Sequence, residues 1–418
     1  MFKFLHAADL HLDSPLRGLE QYEAAPVARM RQATRRALEN LVRLAVEERV
    51  AFVLLAGDLY DGDWRDYQTG LFLVKQMGLL RDAGIRVFLI SGNHDAENKM
   101  TRSLKLPDNV YRFPTDRAAT ERLDEWDVAL HGQGFANAAV KDNLVPGYPG
   151  ASSGCFNIGL LHTAMDGREG HDRYAPCQLD DLRSRGYDYW ALGHVHTREK
   201  LSKDELIFFP GNVQGRHIRE NGPKGCLVVT VDRGQAKEPR FEPLDVVRWE
   251  RCEVDATGAI DADDVLTRTI DNLTQLTQAA DNRLLAVRIE IQGACQAHAE
   301  LLTDHAHIVQ EIRSQTVQNV GDLAWIEKVK IRTKPPEQTL PSTGESPLEE
   351  LRQLIQELRD NEQSLVELAA PLDELKRKLP PEIMGDDLAL GEAATLRRLL
   401  DQVEPMLLQR LLKTESAS

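Results

Sequence analysis

The sequence predicts an α/β protein, and three observations lead to this prediction. Short apolar runs of strand length alternate with amphipathic stretches of helical length over the first hundred residues. Polar side chains follow directly after several of these runs, at the position where α/β sheets usually build their sites. The composition, with 42% hydrophobic residues, is that of a soluble globular protein, and 418 residues suffice for two or three domains.

The first elements follow the order β-α-β-α-β, which is typical of a parallel sheet. Strands are predicted at 2–8, 52–56 and 86–90, and helices at 23–48 and 66–81. Further strands are predicted at 128–130, 156–161, 187–192, 207–209, 226–231 and 241–244, with a short helix at 178–186. The last two strands are expected to form an antiparallel part of the sheet region.

The composition changes near Trp249, which predicts a second domain. Residues 249–334 show the pattern strand, helix, strand, helix, strand, with the second helix over 297–314. Residues 335–347 are rich in Pro, Ser, Thr and Gly and predict a linker. Residues 348–418 predict helices with a leucine stripe, which is usually internal core but after a linker also suits docking on a partner helix. The predicted domains are therefore 1–248, 249–334 and 348–418, with the linker between the last two.

The net charge of −15 weighs against a general nucleic-acid binder. It does not exclude a nuclease, because two bound divalent cations would reverse the local charge of a carboxylate-rich site. No apolar run approaches the ~20 residues of a membrane span, and the N-terminus lacks a signal-peptide pattern. The five cysteines form no CxxC pair. These features predict a cytoplasmic protein with free thiols and no membrane contact.

Five polar clusters stand at the ends of predicted strands. They are Asp9-x-His11, Asp58, Asn93-His94, His162 and His194-x-His196. Taken singly, each suits a turn, a cap or a packed histidine. Taken as an ordered set, they predict a two-metal site, because phosphodiester hydrolysis needs hydroxide at neutral pH and positive charge against the developing negative charge. Asp58 is predicted to bridge the ions, since each carboxylate oxygen can face one of them. Imidazole, carboxylate and amide ligands suit Mn²⁺, Fe²⁺ or Zn²⁺.

The ordered motifs Asp-x-His, Gly-Asp-x-x-Asp, Gly-Asn-His-Asp, His and Gly-His-x-His resemble those of the calcineurin-like metallophosphoesterase superfamily. Within it, residues 9–16, 193–196 and 210–217 are similar to the DNA repair exonuclease branch of SbcD-type nuclease subunits, with the closest likeness to YhaO-type bacterial proteins. The resemblance covers residues 3–245. It implies a β-sandwich flanked by helices, with a small α+β capping domain and a helical C-terminal segment.

The resemblance also implies a role for each residue of the motifs. One metal would be held by Asp9, His11, Asp58 and His196, and the other by Asp58, Asn93, His162 and His194. His94 would be catalytic, orienting the phosphate and protonating the leaving group or stabilising the transition state. Asp95 would hold the His94 ring by a hydrogen bond. Eukaryotic nuclease relatives place a histidine where this chain has Asp61.

The function implied is that of a DNA exonuclease or endonuclease dependent on two divalent ions, with Mn²⁺ expected and Fe²⁺ or Zn²⁺ as alternatives. The nuclease would be dimeric and would work with an SbcC-like coiled-coil ATPase. Two other functions remain open, a phosphatase or cyclic-nucleotide phosphodiesterase and a non-catalytic scaffold subunit. Four side chains are candidates for contacts to DNA phosphates, with a solvated loop as an equally good interpretation of each. They are Arg17, Arg216, His217 and Arg219.

Overall fold

The computed structural model describes residues 1–14, 26–61, 67–97, 104–165, 174–336 and 347–371, together with 393, 395–397, 399–400, 403–404 and 407. The chain divides into two compact units. The first comprises Met1–Arg251, Leu276–Arg288 and Val320–Lys328, and the second comprises Cys252–Gln275, Ile289–Asn319 and Val329–Ser418. The domain bounds at 248, 334 and 347 stay predictions.

The strands and helices are numbered along the chain. The strands are β1 (Phe2–Ala7), β2 (Phe52–Ala56), β3 (Arg86–Ile90), β4 (Val110–Arg112), β5 (Ala119–Leu123), β6 (Val128–Gly132), β7 (Phe156–His162), β8 (Tyr189–Gly193), β9 (Glu199–Lys200), β10 (Leu206–Phe209), β11 (Gly225–Asp232), β12 (Gln235–Ala236), β13 (Arg240–Pro243), β14 (Val247–Asp255), β15 (Leu284–Ala294) and β16 (Ala324–Lys334). The helices are α1 (Val27–Arg31), α2 (Ala33–Glu47), α3 (Tyr67–Asp82), α4 (Asn93–Glu97), α5 (Leu179–Arg183), α6 (Ala262–Ala279), α7 (His298–Thr303), α8 (His305–Val320), α9 (Pro347–Asp360) and α10 (Glu362–Ala369).

Two sheets lie wholly within the first unit. One has the order β12-β11-β1-β2-β3-β4, with β13 also paired to β11, and its strands β1 to β4 run parallel. The other has the order β5-β6-β7-β8-β10-β9, with β6, β7, β8 and β10 parallel. The strand β2 is buried at every residue, as expected for a parallel strand that is covered on both faces.

Alternate residues of the first sheet face different layers, because side chains alternate along a strand. Leu5, Val53 and Val87 are aligned across β1, β2 and β3. They share a hydrophobic cluster with residues of α2 and α3. Phe4 and Phe52, whose rings stack at 5.1 Å, belong instead to a cluster with residues of β6, β7 and β8. The helices therefore cover one face and the second sheet covers the other, which confirms the predicted β-sandwich flanked by helices.

One buried polar residue of β1 lies at the interface between the sheets. The ring of His6 has its Nδ1 2.9 Å from the Tyr189 hydroxyl and its Nε2 3.1 Å from the Leu192 carbonyl. This pairing suits a neutral ring that donates from Nε2 and accepts at Nδ1. Burial lowers the pKa of His6 to about 3. The contact with the Leu192 carbonyl has the opposite, smaller effect, because it favours the charged ring.

The sequence predicts the long central elements better than the edges. The predicted helix 23–48 begins outside the described residues, and from Val27 onward it is two helices separated at Gln32. The strands β4, β5, β9 and β12 lack a prediction, because they are short and lie at or near sheet edges. Edge strands have a partner on one side only, so backbone pairing can place a polar segment such as β5 there without a strong apolar pattern.

A third sheet has the order β14-β15-β16, and α6, α7 and α8 connect its strands along the chain. The helix predicted over 297–314 is two helices, with α8 continuing to Val320. In the C-terminal helices Ile355 and Leu365 are buried, whereas Leu354 and Leu368 are 53% and 57% exposed. Among the described residues, every helix is too short or too polar to cross a membrane.

Candidate metal centre

The predicted metal ligands follow the carboxyl ends of strands from both sheets of the first unit. The strands β1, β2 and β3 end shortly before Asp9, Asp58 and Asn93. The strand β7 ends at His162, and β8 ends just before His194. The ends of the two sheets meet, so that the His194 backbone N–H lies 3.1 Å from both carboxylate oxygens of Asp9.

Four of the predicted ligands adopt a left-handed backbone. The φ angles are 53° at Asp9, 42° at His11, 52° at Asp58 and 98° at His194. Positive φ is uncommon for residues other than glycine, and sparsely populated conformations cost of order 1–3 kcal/mol each. Such residues persist where the surrounding structure holds them, and they concentrate at functional sites.

The first group of candidate ligands is Asp9, His11 and His196, whose ligand atoms all lie within 4.8 Å of one another. The Nε2 atoms of His11 and His196 are 3.1 Å apart. Metal–ligand bonds of about 2.0–2.2 Å place neighbouring ligand atoms of one ion about 3–3.5 Å apart. The separation of the two imidazoles therefore fits two ligands of a single ion.

The second group is Asp58, His162 and His194, again with ligand atoms within 4.8 Å. The amide oxygen of Asn93 joins them, at 3.0 Å from His162 Nε2. Asp58 Oδ2 lies 3.3 Å from His162 Nε2 and 3.9 Å from His11 Nε2, so this carboxylate stands between the two groups. Carboxylate, imidazole and amide oxygen are the ligands that first-row divalent ions accept. The side chains of His11, Asp58 and His94 form a third group of ligand atoms within 4.8 Å of one another, and it overlaps the first two. The predicted ligands thus fit a two-metal centre with Asp58 shared.

Burial and mutual proximity shift the pKa values within this cluster. Burial would raise the pKa of Asp58, but the neighbouring His162 and His11 hold it well below its usual range. His162 responds in the opposite sense, since burial lowers its pKa while Asp58 and Asp9 raise it, to about 9. Burial raises the pKa of Asp9 to about 6. These buried carboxylates need positive charge nearby to remain ionised, and divalent ions supply it.

Two family models match this chain. Calcineurin-like phosphoesterase matches residues 2–198, and Metallophosphoesterase YhaO, middle domain, matches residues 249–334. A Bacillus subtilis relative described as an uncharacterized metallophosphoesterase YhaO is 36% identical over 294 residues, which cover 69% of this chain and 71% of the relative. The chain belongs to the calcineurin-like phosphoesterase family. Members of this family use a dimetal centre, which agrees with the two ligand groups.

More distant relatives of this calcineurin-like phosphoesterase are nucleases or DNA repair proteins by name. One subunit of the nuclease SbcCD from Staphylococcus epidermidis is 24% identical over 275 residues, covering 59% of this chain and 70% of the relative. The DNA double-strand break repair protein Mre11 of Sulfurisphaera tokodaii is 25% identical over 208 residues, which cover 48% of this chain and 51% of the relative. The resemblance predicted from the motifs is thereby confirmed.

The role predicted for Asp95 in this phosphoesterase is wrong. Asp95 is buried in the first turn of α4, and both of its carboxylate oxygens accept hydrogen bonds from backbone N–H groups. The donors are Leu59 at 2.9 Å, Tyr60 at 3.2 Å and Gly92 at 3.0 Å. Asp95 thus joins the loop after β2 to the loop after β3. The carboxylate beside the His94 ring is Asp61, whose Oδ1 lies 3.3 Å from His94 Nδ1.

Sequence reasoning missed Glu220, which lies against one of the predicted ligands. Its Oε1 is 2.7 Å from His196 Nδ1, and its Oε2 accepts a hydrogen bond from Asn212 Nδ2 at 3.0 Å. Burial would raise the pKa of Glu220, but His196 and Arg216 hold it well below its usual range. A carboxylate on the second nitrogen of a metal-ligating histidine fixes its ring and tautomer. Glu220 ends a short helical turn after several basic residues, and nothing in that pattern indicates a site.

The four predicted DNA contacts differ in their surroundings. Arg17 lies outside the described residues. The side chain of Arg216 is 14% exposed and faces Asp61 and Glu220. The side chain of His217 is 54% exposed, and Arg219 is exposed as well. All four DNA contacts stay predictions.

Proposed function

We propose that this phosphoesterase is a metal-dependent DNA nuclease that hydrolyses phosphodiester bonds at a two-ion centre. The observation that carries the proposal is the position of Asp58 between the two ligand groups, with His94 beside it. The His94 backbone N–H donates to Asp58 Oδ1 at 3.0 Å. The names of the more distant relatives support DNA as the substrate.

Two bound divalent ions would supply a nucleophile from water at neutral pH and neutralise charge on the phosphate. His94 is positioned for the remaining task, because its side chain is 34% exposed whereas His11 beside it is buried. Asp61 next to His94 Nδ1 favours a proton on that nitrogen. Nε2 is then left to face the phosphate, and it can protonate the leaving oxygen only when the ring carries a second proton there, as an imidazolium. In this proposal Asp9, His11, Asp58, Asn93, His162, His194 and His196 are the metal ligands.

The proposal extends to the ions and the partners. The ions are Mn²⁺, with Fe²⁺ or Zn²⁺ as alternatives that the same ligands accept. The nuclease acts as a homodimer in the cytoplasm, and exposed His217 and Arg219 contact DNA phosphates. The partner is an SbcC-like coiled-coil ATPase that docks on 348–418, where the exposed Leu354 and Leu368 offer apolar side chains to a partner helix.

The proposal is tested by digestion of end-labelled linear DNA, double-stranded and single-stranded, with the full chain and Mn²⁺. The wild type is expected to cleave. His94→Ala is expected to lose about 10²–10⁴-fold in rate, as removal of a group that transfers protons usually does, while the protein retains its metal by elemental analysis. His305→Ala, on the exposed start of α8, is a matched control that should cleave as the wild type does.

Two other results would favour the other functions. Cleavage of p-nitrophenyl phosphate or a cyclic nucleotide, with all DNA forms intact, would favour a phosphatase or cyclic-nucleotide phosphodiesterase. No turnover of any ester, with or without the ATPase partner, and an Asp58→Ala variant that behaves as the wild type, would favour a scaffold subunit. Metal-dependent turnover that a folded Asp58→Ala variant lacks would exclude the scaffold.

A further inference from the structure

Arg216 lies between two carboxylates at the edge of the candidate metal centre. Its Nη1 is 3.5 Å from Asp61 Oδ2, and its Nη2 is 2.8 Å from Glu220 Oε1. Its backbone N–H also donates to Glu220 Oε2 at 2.8 Å. The guanidinium therefore has a negative partner on either side.

Each of the two carboxylates also contacts a histidine of the site. Asp61 Oδ1 lies 3.3 Å from Nδ1 of His94, and Glu220 Oε1 lies 2.7 Å from Nδ1 of His196. The result is a chain of charged and polar groups that runs from His94 through Asp61, Arg216 and Glu220 to His196. Arg216 is the central member of this series of contacts, and it also contacts His196 directly, with its Nη2 3.2 Å from Nδ1 of that ring.

The surroundings of Arg216 do not suit a residue that binds DNA phosphates. Its side chain is 14% exposed, and two neighbouring carboxylates balance its charge. A guanidinium presents several donors in a fixed plane and can pair with two carboxylates at once, which a lysine ammonium on a flexible stem does less well. His217 and Arg219, which follow Arg216 in the sequence, have the exposure that a phosphate contact requires.

We propose that Arg216 is a positioning residue that acts on phosphoester hydrolysis through Asp61 and His94, and that it does not hold DNA. The inference rests on the proposed hydrolysis at this centre but does not require DNA to be the substrate. Arg216 holds Asp61 against the His94 ring, and Glu220 holds Arg216 in place. Asp61 Oδ2 also accepts a hydrogen bond from Ser14 Oγ, so loss of the guanidinium loosens Asp61 without releasing it, and the ring of His94 loses part of its orientation toward the phosphate.

The first test compares a small diester with DNA. Arg216→Gln is expected to lower kcat for bis(p-nitrophenyl) phosphate and for DNA by the same factor of about 10–100, the usual effect of removing an outer contact of such a site. The KM for DNA and its dependence on salt should stay unchanged, because no phosphate contact is lost. Arg183→Gln, which removes an exposed arginine paired with Asp180 and Glu205, is the control and should change none of these quantities. A higher KM for DNA, with kcat for the small diester intact, would overturn the inference.

The second test asks whether Arg216 acts through His94. In a His94→Ala background, adding Arg216→Gln should lower kcat less than roughly threefold, because the effects of two residues that act as one unit do not add. The full 10–100-fold loss in that background, of about the size expected in the wild type, would show that Arg216 acts independently. Arg216→Lys serves as a second variant, expected to recover only part of kcat, and melting temperatures establish that each variant is folded.

The third test needs no activity. In the full chain with ¹⁵N-labelled histidine, loaded with diamagnetic Zn²⁺ or free of metal, Arg216→Gln should shift the side-chain signals of His94. The signals of His6 in β1 should stay in place, since that ring contacts other residues. Unchanged His94 signals would overturn the inference. If DNA is not cleaved but the small diester is, the proposed substrate fails while the inference is still tested.

Discussion

The contact between Glu220 and His196 gives the sharpest prediction on metal binding. Glu220 is 5% exposed, and its Oε1 lies 2.7 Å from His196 Nδ1. The variant Glu220→Gln keeps the size of the side chain and an oxygen that accepts a hydrogen bond, but it removes the negative charge. His196 then loses the partner that orients its ring and raises the basicity of its other nitrogen.

The size of the effect follows from the behaviour of such outer carboxylates. Their removal usually lowers metal affinity about 10–100-fold, which corresponds to about 1.4–2.7 kcal/mol. Only one of the two ligand groups contains His196, so the loss should affect one ion and leave the other bound. A titration of the metal-free protein should therefore resolve two sites in the variant, one near wild-type affinity and one weakened.

The assay is calorimetric titration of the metal-free full chain with Mn²⁺ or Zn²⁺, supported by the metal-induced rise in melting temperature. The control is Glu238→Gln, which makes the same chemical change at an exposed pair with Lys200. Glu238→Gln should bind both ions as the wild type does. Equal affinities of Glu220→Gln and wild type at both sites would refute the reasoning that Glu220 supports a metal ligand.

Tight packing, bound metal and a buried histidine each give a further prediction. Gly92→Ala is expected to weaken the binding of both ions in the same titration, because a Cβ there would overlap the carboxylate of Asp58, the ligand that the two groups share, whereas Gly78→Ala, with open space around it, should bind normally. Removal of metal by a chelator should lower the melting temperature, and ions at about 100 times their Kd should restore about 2.7 kcal/mol of unfolding free energy for each ion bound; no change would argue against a bound ion. For His6, with a folded pKa of about 3, the unfolded chain takes up the extra proton below about pH 6.5, so stability falls as pH falls. Denaturant unfolding should therefore show that the free energy of unfolding of the wild type falls by about 2 kcal/mol more than that of His6→Gln between pH 7 and pH 5. An equal fall in the two proteins would contradict this prediction.

The sequence predicts the central strands and the metal ligands because the patterns that mark them, apolar runs and short spacings of polar residues, lie within a few consecutive residues. A buried parallel strand such as β2 reads as a continuous apolar run, and its loop carries Asp58 directly after it. The spacing of His194 and His196 after β8 is local in the same way. The polar residues at the predicted strand ends are therefore the ones that the structure brings together.

The contacts that surround His94 and the metal ligands depend on tertiary structure, so local sequence patterns do not predict them. Asp95 adjoins His94 in sequence, yet its side chain turns to backbone N–H groups of another loop, and Asp61 takes the place beside the ring. Glu220 reaches His196 from 24 residues away, and no spacing rule connects them. Edge strands such as β5 were missed because their polar residues are held by pairing with one neighbour.

The division of the ligands between two sheets has a consequence for the biosynthesis of the protein. Asp9, Asp58 and Asn93 leave the ribosome early, whereas His194 and His196 follow about a hundred residues later. Synthesis proceeds at about 5–20 residues per second, so for several seconds the nascent chain contains only the early part of the ligand set. Because metal binding free energy is also folding free energy, the ions can stabilise the sandwich only after the second sheet has emerged. A chain truncated between the two sets of ligands would retain its early carboxylates without the histidines that complete the centre.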